Sequence, residues 1–203
     1  MRTLFLSTLL ISGCAMASGP STELAKPVEA GQAEAIFAGG CFWCIESDFE
    51  KLDGVIEAES GYTGGTKKGP SYKEVGYGKT THLEGIRVIY DPKKVSYEKL
   101  VDYFFHHVDP TQANGQFCDI GRHYTTAVFV ANEEERKVAS AAKKQAEKVL
   151  TGTVVTPILD ASEFWLAEDY HQDFYKKNPA HYNRYRQGCG RDAQVKRVWG
   201  GKH

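Results

Sequence analysis

Neither sign of charge is in excess in this chain: 25 Lys and Arg stand against 26 Asp and Glu in 203 residues. A nearly balanced surface offers no basic field for nucleic acid. No internal repeat is visible. Long apolar runs are scarce. The longest at the N-terminus, Leu4 to Ile11, is interrupted by Ser7 and Thr8 and is too short to span a membrane as a mature helix. Cysteine is sparse, five in all, and its spacing excludes several roles. Haem attachment needs His directly after a C-x-x-C pair, and Ile45 follows Cys41-x-x-Cys44 instead. A zinc site needs a second ligand pair at short spacing, whereas Cys118 and Cys189 stand alone, so no metal is expected. A structural Cys41–Cys44 disulfide would close almost no loop and add little stability.

The chain instead opens as an exported one. Arg2 and the short apolar run read as a secretory signal over residues 1–17. Ile11-Ser12-Gly13-Cys14 resembles a lipoprotein box, which would make Cys14 the lipidated first residue and the attachment point of a lipid anchor. Ala15-Met16-Ala17 offers a competing A-x-A cleavage site that discards Cys14. Either route places the domain outside the cytoplasm, periplasmic or membrane-anchored, where a free reactive thiol needs a dedicated reductant. Residues 18–32, with Pro20 and Pro27 among small and polar residues, read as a flexible tether. Residues 33–203 have the length of one globular domain, and nothing suggests more than a monomer.

Periodicity within that domain predicts a strand at Ala35-Ile36-Phe37-Ala38, then a helix from Ile45, then a strand from Gly54 to Tyr62. A strand at Ile86 to Tyr90 follows, then a helix from Tyr97 to His107 capped by Ser96, and a strand at Thr125 to Val130. The order βαββαβ is that of a ferredoxin-like α+β fold, a two-layer sandwich with helices on one face of the sheet. Beyond it the sequence predicts an added helix from Glu133 to Leu150 capped by Asn132, a short edge strand at Val154 to Leu159, and an irregular aromatic tail with a flexible Gly188-Cys189-Gly190.

Gly39-Gly40-Cys41-Phe42-Trp43-Cys44 sits where the first strand turns into the first helix. A helix N-terminus favours thiolate over thiol, so the position predicts a lowered Cys41 pKa and a nucleophilic sulfur. The run Ala38 to Glu46 resembles the signature of the peptide methionine sulfoxide reductase A family. Gly69-Pro70-Ser71-Tyr72-Lys73-Glu74-Val75 with His82-Leu83-Glu84, then Cys118 to Tyr124, then Ala167 to Gln172, resemble the same family in the same order.

The resemblance implies an enzyme that reduces the S epimer of methionine sulfoxide, free or in oxidised proteins, without a cofactor. Cys41 is then the nucleophile, Glu84 the acid, and Tyr72 and Tyr124 the hydroxyl donors to the sulfoxide oxygen. Asp119 helps to hold substrate and water. To donate a proton near neutrality Glu84 must have a raised pKa. Phe42 and Trp43 offer an apolar wall for the substrate methyl group. Glu168 and His171 read as structural support. The product is a Cys41 sulfenic acid that a second thiol resolves to a disulfide, reduced in turn by a thioredoxin-like donor. Many relatives carry Gly at the Cys44 position and Asn at the Cys118 position. The expected order of resolution here is Cys189, then Cys44, with Cys118 last, because glycines flank Cys189 and loop closure grows costly only slowly with length. Two other classes compete. One is a general thiol-disulfide oxidoreductase using Cys41 and Cys44, the other a zinc-stabilised binding module.

Overall fold

The computed structural model describes residues 22–200. The export signal, with Cys14 and both cleavage sites, lies outside the described residues. Strand β1 (Ala33–Gly39) is buried along its last five residues and occupies the middle of the sheet. It pairs antiparallel with β3 (Leu83–Tyr90) on one side and with β6 (Thr126–Val130) on the other. Strand β2 (Val55–Thr63) pairs antiparallel with the far side of β3. The core order is therefore β6-β1-β3-β2, which is compatible with the ferredoxin-like arrangement expected from the sequence.

Helices α1 (Phe42–Phe49) and α3 (Tyr97–His106) cross over one face of this sheet. Phe37 of β1 stacks between Phe49 and Phe104 at centroid separations of 5.2 and 4.9 Å, which locks both helices to the central strand. Full burial of each such ring is worth about 1.5–3 kcal/mol. Ser96 caps α3 by accepting from the Lys99 N–H, and Asn132 caps the long helix α4 (Glu133–Val149) by accepting from the Glu135 N–H. A short helix α2 (Tyr72–Gly76) opens on a Ser71–Glu74 capping box. Two-residue strands β4 (Gly115–Gln116) and β5 (Asp119–Ile120) form a separate hairpin, and a 3-10 turn follows at Arg122–Tyr124. Strand β7 (Ile158–Asp160) adds to β6 in parallel at one edge, with Pro157 just ahead of it. Strand β8 (Trp165–Leu166) closes the opposite edge against β2.

Two sequence expectations fail. The C-terminal tail is helical, with α5 (Phe174–Lys177), α6 (Pro179–Cys189) and α7 (Arg191–Trp199). Pro179 at the first turn of α6 and Gly190 in the left-handed region at its end are start and stop signals that the aromatic density of this segment obscured. Gly188-Cys189-Gly190 is thus a helix end and junction rather than a flexible loop. The start of the described part of the tether is also docked. Leu24 bridges to Trp165, the Ala25 N–H donates to the Phe164 carbonyl at 2.9 Å, and the Leu166 N–H donates to the Glu23 carbonyl at 2.8 Å. The open edge of β8 supplies unpaired backbone groups that this segment satisfies.

Candidate active site

The turn from β1 into α1 places Cys41 at the helix N-cap. Gly40 makes the turn with φ of 85°, and a Cβ there would meet Gln116 Cβ at 2.6 Å, so only glycine fits. Cys41 is buried, and its thiol is hydrogen-bonded to Cys44, which is buried one turn along the helix. Burial pushes the Cys41 thiol well above its ordinary value, and Cys44 and Glu84 push the same way. The lowered pKa expected from the helix terminus is therefore overturned: loss of solvation for a fully enclosed thiolate outweighs the helix field. Cys44 moves in the opposite direction. It is lowered first by the Cys41 hydrogen bond, and Arg191 and Arg186 add to this against its burial.

Glu84 lies on β3, opposite Tyr62 of β2, and is buried. Its Oε2 accepts from the Phe42 N–H at 3.1 Å, so the carboxyl sits at the first turn of the helix that carries Cys41. Burial holds Glu84 well above the usual carboxylate range, with Asp119 and Cys44 adding to it, which favours the protonated acid a proton donor needs. Tyr72, at the start of α2, and Tyr124, at the end of the 3-10 turn, are half-buried with their hydroxyls hydrogen-bonded to each other. Burial pushes Tyr72 up to about 12 and Tyr124 higher still, so both remain O–H donors. The two rings line a cleft of about 440 Å³ together with Lys73, Tyr77, Ile120 and His123.

The two aromatics expected to form an apolar wall differ in exposure. Trp43 is partly exposed, stacked on Phe174 at 3.7 Å, and its indole N–H donates to His171 Nδ1 at 3.0 Å. Phe42 is 1 % exposed and packs against Tyr62, Tyr72 and His171, whose rings it joins to the start of α1. Glu168 and His171 provide the structural support read from their motif. Glu168 accepts from the Tyr62 hydroxyl at 2.8 Å and from the Tyr72 N–H at 2.9 Å. Burial pushes His171 down to about 4, leaving it neutral.

Asp119 is in the cluster, and the residue that brings it there was missed. Tyr185 on α6 donates its hydroxyl to Asp119 Oδ2 and lies within hydrogen-bonding reach of the Cys41 sulfur. Two arginines hold α6 and α7 against α1. Arg186 Nη1 is 2.8 Å from Asp48 Oδ1, and Arg191, 2 % exposed, donates to the Gly39 carbonyl at 3.3 Å and to the His107 carbonyl at 2.9 Å. The remaining cysteines also differ from expectation. Cys189, at the end of α6, forms a disulfide with Cys118, the residue ranked last, and not with Cys41. The fold brings the exposed Cys118, in the β4–β5 turn, to the end of α6, whereas the sequence separates these thiols by 71 residues. Burying a nucleophilic thiol beside a carboxyl of raised pKa and two phenol donors equips this cluster for attack on a sulfur centre whose oxygen must take up a proton.

Residues 33–203 match the family model described as peptide methionine sulfoxide reductase. Peptide methionine sulfoxide reductase MsrA 2 of Rhizobium meliloti is 50 % identical over 178 residues, covering 87 % of this chain and 89 % of that protein. Peptide methionine sulfoxide reductase MsrA of Bacillus subtilis is 44 % identical over 170 residues, 83 % of this chain and 96 % of that one. Among solved structures, Mxr1 of Saccharomyces cerevisiae in reduced form superposes with a TM-score of 0.72 at 30 % identity, covering 80 % of this chain and 93 % of that chain.

Proposed function

The chain belongs to the peptide methionine sulfoxide reductase A family and is a peptide-methionine (S)-S-oxide reductase, and from that premise we propose how its own residues carry the reaction. Substrate is free methionine sulfoxide or the oxidised side chain in a protein. Its sulfoxide oxygen lies toward Glu84, Tyr72 and Tyr124, and its methyl group toward Trp43. Glu84 gives its proton to the oxygen while the two phenols donate hydrogen bonds, which makes the substrate sulfur electrophilic. Cys41 attacks that sulfur, its proton passing to neighbouring acceptors, among which Tyr185 leads to the Asp119 carboxylate. The S–O bond breaks and the doubly protonated oxygen leaves as water, giving a Cys41–sulfonium adduct; a water then attacks the Cys41 sulfur, the S–S bond breaks, methionine departs, and Cys41 is left as a sulfenic acid. The observation that carries this reading is the buried Glu84, its pKa raised by burial, anchored by the Phe42 N–H beside the Cys41 sulfur. The test offers each epimer separately with a dithiol. Turnover of the S form alone is expected, and equal turnover of both would contradict the assignment.

Recycling then runs outward. The Cys189 thiol attacks the sulfenic acid, releasing water and forming a Cys41–Cys189 disulfide. Cys118 attacks the Cys189 sulfur, freeing Cys41 and leaving the Cys118–Cys189 bond. The reason to move the disulfide is access: Cys41 is enclosed, while Cys118 is exposed and open to a thioredoxin-like dithiol. With one equivalent of sulfoxide and no reductant, peptide mapping should find Cys118–Cys189 oxidised and Cys41 free. Cys118→Ser should trap Cys41–Cys189. A mapped Cys41–Cys44 bond in both proteins would assign resolution to Cys44 instead.

For location, we propose export with a lipid on Cys14, supported by the Ile11-Ser12-Gly13-Cys14 stretch. Intact-mass analysis of the mature protein should show a diacylglyceryl cysteine as residue one. A soluble form beginning at Ser18 would assign cleavage to the A-x-A site.

A further inference from the structure

Sequence spacing gave Cys118 and Cys189 no metal-binding partner, but the fold does. Their sulfurs and the Asp119 carboxylate lie within 4.8 Å of one another, a three-ligand set built from the β4–β5 hairpin and the end of α6. Cys118 Sγ is 3.8 Å from Asp119 Oδ1, and Cys189 Sγ is 3.8 Å from Asp119 Oδ2, so the carboxylate faces both sulfurs at once. We propose that the reduced form of this pair is a binding site for a thiophilic divalent cation of the zinc class, held by Cys118, Cys189 and Asp119.

The chemistry of the donor set supports the choice. Two thiolates and one carboxylate carry three negative charges against the two of the cation, and thiolate ligands select zinc over calcium or magnesium. Three protein ligands leave a fourth tetrahedral position for water, and Cys118 is exposed, so solvent can fill it. The Tyr185 hydroxyl, bonded to Asp119 Oδ2, fixes the orientation of the carboxylate, as outer hydrogen bonds do for metal-ligating carboxylates. The backbone already favours charge at this spot: the Cys118 N–H points at Cys189 Sγ at 3.2 Å. Reduction opens the site and oxidation closes it. A phosphine and water convert the disulfide to two thiols and phosphine oxide. The cation then displaces two protons, leaving two sulfur–metal bonds and no change in oxidation state. A bound cation would withdraw Cys118 and Cys189 from disulfide exchange and tie Asp119, so it would stall recycling while leaving Cys41 free. The site needs only the reduced pair and does not depend on the order in which the thiols resolve the sulfenic acid.

Cobalt(II) is a suitable probe, because sulfur ligation gives it a thiolate-to-metal charge-transfer absorption. Titrating the phosphine-reduced full chain under nitrogen should saturate that band at one cobalt per chain, and zinc should bleach it. The oxidised chain should show no band. Cys118→Ser and Cys189→Ser should each remove most of it, Asp119→Asn should weaken binding, and the Cys41→Ser, Cys44→Ser double variant should keep the band. A second measurement needs no variant: zinc should shield Cys118 and Cys189, but not Cys41, from alkylation by iodoacetamide in the reduced wild-type chain. No sulfur-to-cobalt band, a band that survives loss of Cys118, or shielding confined to Cys41 and Cys44 would overturn the proposal.

Discussion

Replacing Cys41 with serine abolishes sulfoxide reduction, lowering single-turnover methionine release by about 10⁴-fold or more, the scale on which enzymes lose rate without their nucleophile. A hydroxyl attacks sulfur poorly and cannot form the disulfide that completes the cycle. The fold should survive. The substitution is nearly isosteric, and the neighbouring Cys44 thiol and Tyr185 hydroxyl can hydrogen-bond the new oxygen. Free methionine after one mixing event reports the chemistry, and the denaturant midpoint reports the fold. Methionine release at the wild-type rate would remove Cys41 from the reaction altogether.

The next largest effect belongs to Glu84. Glu84→Gln keeps the shape and can still accept from the Phe42 N–H through its carbonyl oxygen, but it cannot deliver a proton. The single-turnover rate should fall about 10²–10⁴-fold, the range for a positioned acid. The pH profile separates this loss from a packing defect. Burial raises the pKa of Glu84, so the competent protonated form is complete at low pH and is lost as pH rises through that raised value. Wild-type enzyme should therefore show a falling alkaline limb that Glu84→Gln lacks. Cys41, also raised, acts oppositely, since its thiolate becomes more abundant as pH increases. An unchanged rate in Glu84→Gln would assign the proton to Tyr72 or Tyr124.

The reducing half of this site was legible because its residues sit in short local patterns. Gly40 before Cys41, a strand before them and a helix after them specify a thiol at a helix N-cap from sequence alone. The raised pKa of Glu84 was likewise foreseeable once a proton donor was required. That of Cys41 was not, because its burial depends on β3 and α6 bringing Glu84 and Tyr185 to its sulfur, and no local pattern encodes that closure. Tyr185 and Cys189 lie four apart, the spacing that aligns side chains on one helix face. Reading Pro179 and Gly190 as helix ends would have exposed that pairing. The Cys118–Cys189 bond joins the turn of a hairpin with two-residue strands to a helix end, and strands that short do not signal their partner. The docking of residues 22–26 was hidden for a related reason: a composition of small and polar residues says nothing about an open sheet edge waiting nearby.

That docked segment sets a leash. If Cys14 carries the lipid, residues 15–21 separate it from Thr22, which is buried with its hydroxyl on the Pro70 carbonyl. Residues 15–21 between them reach at most about 30 Å fully extended, which is comparable to the thickness of a small domain. The catalytic unit would then work in a thin layer beside the bilayer, unable to roam. Proteins embedded in or resting on that surface would be serviced again and again, and those dissolved beyond it would have to come within reach by their own diffusion.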